Sequence, residues 1–198
     1  DCLEAHDIVC KIGEVVVVGG VRRSALISLS SIQDDRIRKA KMGQWWQDNP
    51  QRALSNNSAC YTRTPDIGLF MHEWKALYDS KSGERGIFNR EAAKKKVAEN
   101  GRRDPEHNFG TNPCSEIILR PYQFCNLTEV VIRATDDEKS LKKKVRLATQ
   151  LGTYQSTLTD IKYLRKIWRD NTEEERLLGV SLTGIMDNKL TIKADEEL

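Results

Sequence analysis

The stretch GGVRRSALISLS, residues 19–30, marks a change in the periodicity of the apolar residues. Before it, within residues 3–18, Leu3, Ile8 and Ile12 lie near one side of a helix. After the two glycines, serines recur among apolar residues from Ser24 to Ser30, which is typical of a strand. The sequence therefore predicts a helix, a turn and a strand in this order.

The rest of the chain continues this alternation. Helical patterns occupy residues 34–46, 70–78, 90–99 and 139–160, and strand patterns occupy 115–119, 127–132 and 179–185. Asn89 and Gly101 are typical of the two ends of the helix over 90–99. Residues 56–58 indicate a turn, and Thr172 to Glu175 resemble a capping box that opens one more helix. We therefore predict an α/β fold.

The composition excludes membrane and disordered classes. The 198 residues include 32 Lys and Arg against 29 Asp and Glu, so the net charge is 32 − 29 = +3. This length suits one domain or two small ones. The longest apolar run, Val15 to Val18, is too short to span a bilayer. A charge of +3 is too weak to indicate a nucleic-acid partner, and we expect neither nucleic acid nor membrane as partner.

The cysteine pattern indicates a reducing compartment. The five cysteines form no Cys-x-x-Cys pair, and the three histidines are scattered, so no zinc site or other metal site is predicted. The odd count also argues against a secreted disulfide scaffold. No signal or transit peptide is recognised, and we expect a cytoplasmic protein.

One loop carries several reactive groups. GTNPCSE, residues 110–116, is followed by Cys125, eleven residues after Cys114. Pro113 restricts Asn112 to an extended conformation. If residues 115–119 are extended, Cys114 and Glu116 share one face, because side chains alternate along a strand. Taken singly, each residue also fits a structural role, since a lone cysteine is most often a small core residue.

The loop together with Cys125-Asn126-Leu127 resembles the active-site finger loop of ribonucleotide reductase large subunits. Four further segments resemble the adenosylcobalamin-dependent (class II) reductases, especially their ribonucleoside-triphosphate form: Gly19–Ala25, Trp45–Tyr61, Gly83–Arg90 and Gly179–Gly184. The resemblance covers residues 1–188.

This resemblance implies a fold. The family has a ten-stranded α/β barrel of two antiparallel half-barrels around the finger loop, here at residues 110–126. Residues 1–188 would form an incomplete part of that barrel, and residues 189–198 an unassigned tail. We expect an internal fragment of the catalytic subunit that is inactive alone.

The resemblance also implies roles for individual residues in the reduction of ribonucleotides to 2′-deoxyribonucleotides. Cys114 resembles the thiyl radical carrier, Glu116 the general base on the 3′ hydroxyl, and Asn112 the amide that orients the substrate. Cys125 resembles one half of the dithiol that reduces the 2′ position, and Ser58 lies in a segment close to the substrate. Adenosylcobalamin is the implied cofactor, and thioredoxin or a similar dithiol the implied reductant.

Two departures from the family leave alternatives open. The surroundings of Cys2, Cys10 and Cys60 do not resemble the strand that carries the second reducing cysteine, so we expect structural roles for them, and no cysteine follows Cys125. One alternative is therefore a non-catalytic fragment that acts only with a partner chain, such as the missing parts of the same reductase. Another is a basic nucleic-acid-binding domain, suggested by two lysine runs, 94–96 and 142–144, although these fit solvated helix faces better.

Overall fold

A computed structural model describes residues 1–17, 19–21 and 23–192 of the chain. Val18, Arg22 and residues 193–198, which include most of the predicted tail, lie outside the described residues. The chain divides into two compact units, Asp1–Pro121 and Tyr122–Leu198. Each unit has its own sheet and its own helices.

The first unit contains five helices and five strands within its described residues. Its elements, in chain order, are α1 (Cys2–Val15), β1 (Leu26–Ser31), α2 (Asp35–Arg38), α3 (Trp45–Asp48), a 3-10 turn (Pro50–Leu54), β2 (Ser55–Tyr61), α4 (Ile67–Ser80), β3 (Gly86–Asn89), α5 (Arg90–Asn100), β4 (Gly110–Thr111) and β5 (Ile118–Leu119).

Strands β1, β2 and β3 form a parallel sheet in this order, with Ser58 beside Leu29 on one side and Gly86 on the other. Because side chains alternate along a strand, Asn56, Ser58 and Cys60 share one face of β2. We call this the finger face of the sheet. The neighbouring residues, such as Asn57, point to the opposite face, which we call the helix face.

Buried polar groups join the helix face to the helices. His6 of α1 contacts Asn57, with 3.0 Å between Nε2 and Oδ1. Glu73 of α4 accepts hydrogen bonds from Arg38 Nε at 2.8 Å and from Arg85 Nε at 2.6 Å, and all three residues are buried. Buried charges are tolerated when they are paired in this way. Sequence patterns gave no sign of this cluster.

The second unit is built on two parallel strands. Its elements are β6 (Cys125–Val131), α6 (Glu138–Gln155), α7 (Lys166–Glu175), β7 (Leu177–Thr183), a 3-10 turn (Ile185–Asp187) and α8 (Lys189–Ile192). A helical connection between β6 and β7 is expected, since parallel neighbours need a long crossover. The core, between α6 and the strands, consists of Val130, Ile132, Leu141 and Ala148, with Val145 and Val180 packed against it.

Several sequence predictions are confirmed in detail. Helix α5 begins at Asn89, whose side chain accepts the Ala92 N–H, and ends at Gly101 with φ 63°. Helix α6 and strands β6 and β7 lie within a few residues of their predicted bounds. The predicted strand after the Gly19-Gly20 pair is β1.

Other local predictions are wrong, each for a physical reason. Residues 56–58 form the middle of β2 and not a turn, because both neighbouring strands pair with them. Thr172 to Glu175 end α7 and do not open a helix, since Thr172 is buried and accepts the Phe124 N–H. Residues 34–46 contribute only to the short helices α2 and α3, separated by Gly43 in the left-handed region at φ 66°.

The α/β fold class is confirmed. The described strands form three separate sheets of three, two and two strands, with no closed barrel among them. The ten-stranded barrel therefore stays a prediction. Across the ranges the structure describes, no helix combines the length and apolarity needed to cross a membrane.

Candidate active site

The predicted reactive loop forms a small hairpin. Strands β4 and β5 are antiparallel, with Gly110 beside Leu119 and Thr111 beside Ile118. Residues 112–117 connect them and carry the thiol, the carboxylate and the amide singled out in the sequence. We call residues 110–119 the finger hairpin.

Hydrogen bonds within the finger hairpin fix the orientation of Asn112. Its Oδ1 accepts the backbone N–H of Ile117 at 3.0 Å, and its backbone oxygen accepts the N–H of Ser115 at 2.9 Å. The Thr111 hydroxyl donates to the Ile117 carbonyl at 2.9 Å. The Asn112 side-chain nitrogen makes no hydrogen bond with any described residue, so it is available as a donor to a ligand.

Cys114 and Glu116 are both exposed on the connection between β4 and β5. The prediction that they share one face of a strand over 115–119 is wrong, because only Ile118 and Leu119 are extended and paired. Ser115 lies in the left-handed region with φ 68°, so the chain turns between Cys114 and Glu116. A turn presents the thiol and the carboxylate to solvent without the alternation of a strand.

The finger hairpin lies against the finger face of the sheet. Asn56 donates from Nδ2 to the Pro113 carbonyl at 2.7 Å, and Arg90 donates from Nε to the Phe109 carbonyl at 2.6 Å. Phe109 is completely buried at the start of the hairpin. A Cβ on Gly110 would contact Leu29 of β1 at 3.5 Å. Both residues lie in segments that the resemblance singled out, but no sequence pattern indicates these contacts, which join residues 57 and 19 positions apart.

Ser58 lies on the finger face, two residues after Asn56. It is buried, and a Cβ on Gly86 would lie 2.9 Å from its Oγ, so the Ser58 hydroxyl would have to shift to admit a larger residue there. The structure thus brings Ser58 to the side of the sheet that carries the finger hairpin. A substrate contact by Ser58 stays a prediction.

The upstream thiols differ in their surroundings. Cys10 is 1% exposed, with its Sγ 3.8 Å from His6 Nδ1, and burial raises the pKa of the Cys10 thiol. Burial also raises the pKa of Cys60, which is half-buried on the finger face. A raised pKa favours the protonated thiol, which is less nucleophilic than the thiolate. The expected structural roles of Cys10 and Cys60 are consistent with these surroundings, whereas Cys2 is exposed.

Cys125 belongs to the second unit, where it begins β6 beside Leu177 and is half-buried. The described residues contain no group of three or more His, Cys, Asp or Glu side chains arranged to hold a metal ion.

Members of both lysine runs pair with nearby acids, Lys96 with Glu99 and Lys142 with Glu138. These pairs fit solvated helix faces.

Comparison with known proteins identifies relatives over nearly the entire chain. The chain is 36% identical over 190 residues to the adenosylcobalamin-dependent ribonucleoside-triphosphate reductase of Lacticaseibacillus paracasei, a match that covers 93% of this chain and 24% of that protein. It is 32% identical over 193 residues to the enzyme of the same name from Lactobacillus leichmannii, covering 96% and 25%. The chain is a homologue of one segment of these reductases.

The homologous segment is a small part of each relative. The chain spans about a quarter of the length of the curated relatives it matches, and the enzyme of Levilactobacillus brevis gives the same result, with 31% identity and 24% of its length. The finger hairpin lies in the middle of the chain and so within the matched region. No family model matches the chain, and no solved structure does.

Proposed function

We propose that the protein carries out the central chemistry of adenosylcobalamin-dependent ribonucleotide reduction, with ribonucleoside triphosphates as substrates and 2′-deoxyribonucleotides as products. The observation that carries the proposal is the similarity over 93–96% of the chain to enzymes named for this activity. The finger hairpin supports it, because an exposed thiol, carboxylate and amide stand together in residues 112–116.

Three residues of the finger hairpin act on the ribose in this proposal. The Cys114 thiyl radical removes the 3′ hydrogen, and Glu116 accepts the proton of the 3′ hydroxyl. The Asn112 side-chain nitrogen donates a hydrogen bond to a substrate hydroxyl. The bond from Ile117 to Asn112 Oδ1 supports this role, because it holds the amide so that its nitrogen is available.

The reduction requires two electrons that the finger hairpin does not supply. In the proposal, the 2′ hydroxyl leaves as water with the proton of one thiol, and the 2′ carbon takes the hydrogen of the other, so that Cys125 and a second cysteine are oxidised from two thiols to one disulfide. Glu116 returns its proton to the 3′ oxygen. Cys114 then returns hydrogen to the 3′ carbon. Thioredoxin or a similar dithiol reduces the disulfide by thiol–disulfide exchange, so one dithiol is consumed for each deoxyribonucleotide.

When bound, adenosylcobalamin would supply the initial radical, and the Cys114 thiol would give up its hydrogen atom to become the radical carrier. The exposed position of Cys114 fits this step, because the sulfur must be reachable from outside the hairpin. The proposal assigns none of the described residues to the binding of the cofactor itself. We further propose a cytoplasmic location, where thiols stay reduced.

A second candidate is a non-catalytic chain that acts only with a partner. It is favoured by one observation, the coverage of only 24–25% of each relative. In that case the finger hairpin contributes to catalysis when the remaining three quarters of a reductase are present. The two candidates differ in whether the rest of the reductase belongs to the same polypeptide or to a partner chain, and both place the same chemistry on Cys114.

A segment exchange tests the proposal. The corresponding segment of the Lacticaseibacillus paracasei reductase is replaced by this chain, and the purified chimera is supplied with a ribonucleoside triphosphate, adenosylcobalamin and a dithiol. We expect 2′-deoxyribonucleotide, detected by chromatography, and no product without adenosylcobalamin. A folded chimera that forms no deoxyribonucleotide would contradict the proposal. The 198-residue chain assayed alone should form no product, because we expect the fragment to be inactive without the rest of a reductase.

A further inference from the structure

We propose that Asn56 is a positioning residue for Cys114, and this inference rests on the proposed function of Cys114. The Asn56 side chain donates from Nδ2 to the Pro113 carbonyl at 2.7 Å. The two residues are 57 positions apart, so the bond is a tertiary contact between strand β2 and the finger hairpin. Asn56 acts on Cys114 through the backbone and not through a substrate.

The contact acts on the peptide unit that carries Cys114. The Pro113 carbonyl belongs to the planar peptide group that ends at the Cα of Cys114. A hydrogen bond that fixes this plane therefore also limits the direction of the Cys114 side chain. Proline has no backbone N–H, so its carbonyl is the one backbone group through which Pro113 can be held.

The strand that carries Asn56 is held firmly by its neighbours. Asn56 lies on β2, the middle strand of the parallel sheet, beside Ile27 of β1. Its neighbours Ser55 and Asn57 are 0% and 3% exposed, and the Asn57 backbone N–H donates to Glu84 at 2.8 Å. Asn57 also contacts His6. The two adjacent asparagines therefore make contacts on opposite faces of β2, Asn57 with helix α1 and Asn56 with the finger hairpin.

The finger hairpin does not fix the position of its own tip. Its internal hydrogen bonds set its shape, and Arg90 holds its first residues through the Phe109 carbonyl. Among the residues that the structure describes, Asn56 supplies the hydrogen bond between residues 113–116 and the sheet. Radical transfer and hydrogen abstraction both depend on precise placement, and misplacement by about 1 Å can cost about 100-fold in rate.

The test compares three variants of the protein. Asn56→Leu removes the donor at nearly constant shape, Asn56→Gln keeps a donor on a longer arm, and Asn49→Leu is the matched control, since the Asn49 side chain makes no hydrogen bond with a described residue. Backbone order parameters are measured by ¹⁵N relaxation for the 198-residue protein carrying Leu151→Lys, which removes exposed apolar surface from the second unit and should keep the protein monomeric. Steady-state kcat and KM are measured in the reductase chimera.

We expect Asn56→Leu to lower the order parameter of the Cys114 amide from about 0.85 to below about 0.6, with Thr111 and strand β2 unchanged. In the chimera it lowers kcat about tenfold or more while KM for the triphosphate stays within about twofold. Asn56→Gln recovers part of both losses, and Asn49→Leu changes neither quantity.

Three results would overturn the inference: an unchanged Cys114 order parameter in Asn56→Leu, a loss of order throughout the first unit, or a raised KM with unchanged kcat. The last two would assign Asn56 to general stability or to substrate binding. If the chimera with the native chain forms no product, the proposed function fails, whereas the relaxation measurement still decides whether Asn56 holds Cys114 in place.

Discussion

At the scale of single residues, the candidate reactive groups lie in the finger hairpin, and a few hydrogen bonds hold this hairpin against the sheet. The sequence placed Asn112, Cys114 and Glu116 in one loop, and the structure confirms that they lie within one hairpin. What the sequence could not provide is the partner of each group. Asn56 and Arg90 hold the finger hairpin, and both are far from it along the chain. Side-chain hydrogen bonds of this range depend on the packed fold and leave no periodic signal.

The buried carboxylate of Glu73 leads to a prediction about stability. Glu73→Gln should lower the free energy of unfolding by about 3–5 kcal/mol, because it leaves the buried guanidinium groups of Arg38 and Arg85 without their counter-charge. Urea unfolding at pH 7 measures the change. Asp79→Asn is a matched control, because Asp79 is exposed and its ion pair with Lys75 lies at the surface.

The same carboxylate predicts a dependence on pH. Burial raises the pKa of Glu73, but hydrogen bonds from Arg85 and Arg38 outweigh it, and the net pKa lies below the ordinary 4.5. The folded state therefore binds this proton less readily than the unfolded state, so Glu73 stabilises the fold above pH 4.5. This contribution is lost as the pH falls through the lower, folded-state pKa. The stability difference between wild type and Glu73→Gln should shrink below pH 4.5, and a difference that grows there would contradict the assignment.

At the scale of elements, the sequence was most informative where local signals act alone. Helix α5 has its N-cap at Asn89 and its left-handed C-cap at Gly101, and both were predicted. Residues 56–58 and 172–175 were mispredicted because strand pairing and burial outweighed local turn and capping preferences. The sequence predicted a strand over 115–119, but β5 covers only Ile118–Leu119. The reason is that Ser115 adopts a left-handed conformation, which is uncommon for residues other than glycine and asparagine.

The packing of helix α6 on strand β7 predicts the effect of one substitution. A Cβ on Gly152 would lie 2.2 Å from Cδ1 of Leu178, too close for any real contact. Gly152→Ala should therefore destabilise the second unit by about 1–3 kcal/mol, although alanine favours a helix by about 1 kcal/mol over glycine. Thermal unfolding measures the change.

Leu178→Val provides the control for this packing argument. A shorter side chain at position 178 gives the new methyl group space, so the double variant should be more stable than the sum of the two single changes indicates. Strict additivity of the two changes would show that Gly152 and Leu178 do not contact each other.

At the scale of the whole molecule, exposed apolar surface predicts self-association. One stripe of α6 is open to solvent, with Leu151 64% and Tyr154 73% exposed, and Leu158 beyond the helix is 74% exposed. Contiguous apolar surface of this kind favours association. We expect the 198-residue protein to sediment as a mixture of oligomers at micromolar concentration and Leu151→Lys to shift it toward monomer. A single monomeric species with cooperative unfolding would contradict this expectation.

The sequence predicted the fold class and the family relation, but the ten-stranded barrel is not confirmed. Alternating helices and strands were sufficient for the α/β class, which two parallel sheets confirm. The described strands form no closed barrel, so the ten-stranded barrel that the resemblance implies stays a prediction. Short motifs indicated the relation of the chain to the triphosphate reductases, and the 36% identity over 93% of the chain supports it.

The most direct test of the central claim is the turnover of the reductase chimera after Cys114→Ser, compared with Cys2→Ser. Both cysteines are exposed, and the two exchanges are chemically identical. A hydroxyl cannot replace the thiol as radical carrier, so Cys114→Ser should reduce deoxyribonucleotide formation below detection with the fold intact by circular dichroism. Cys2→Ser should retain the turnover of the parent chimera. Substantial product from a folded Cys114→Ser chimera would contradict the account.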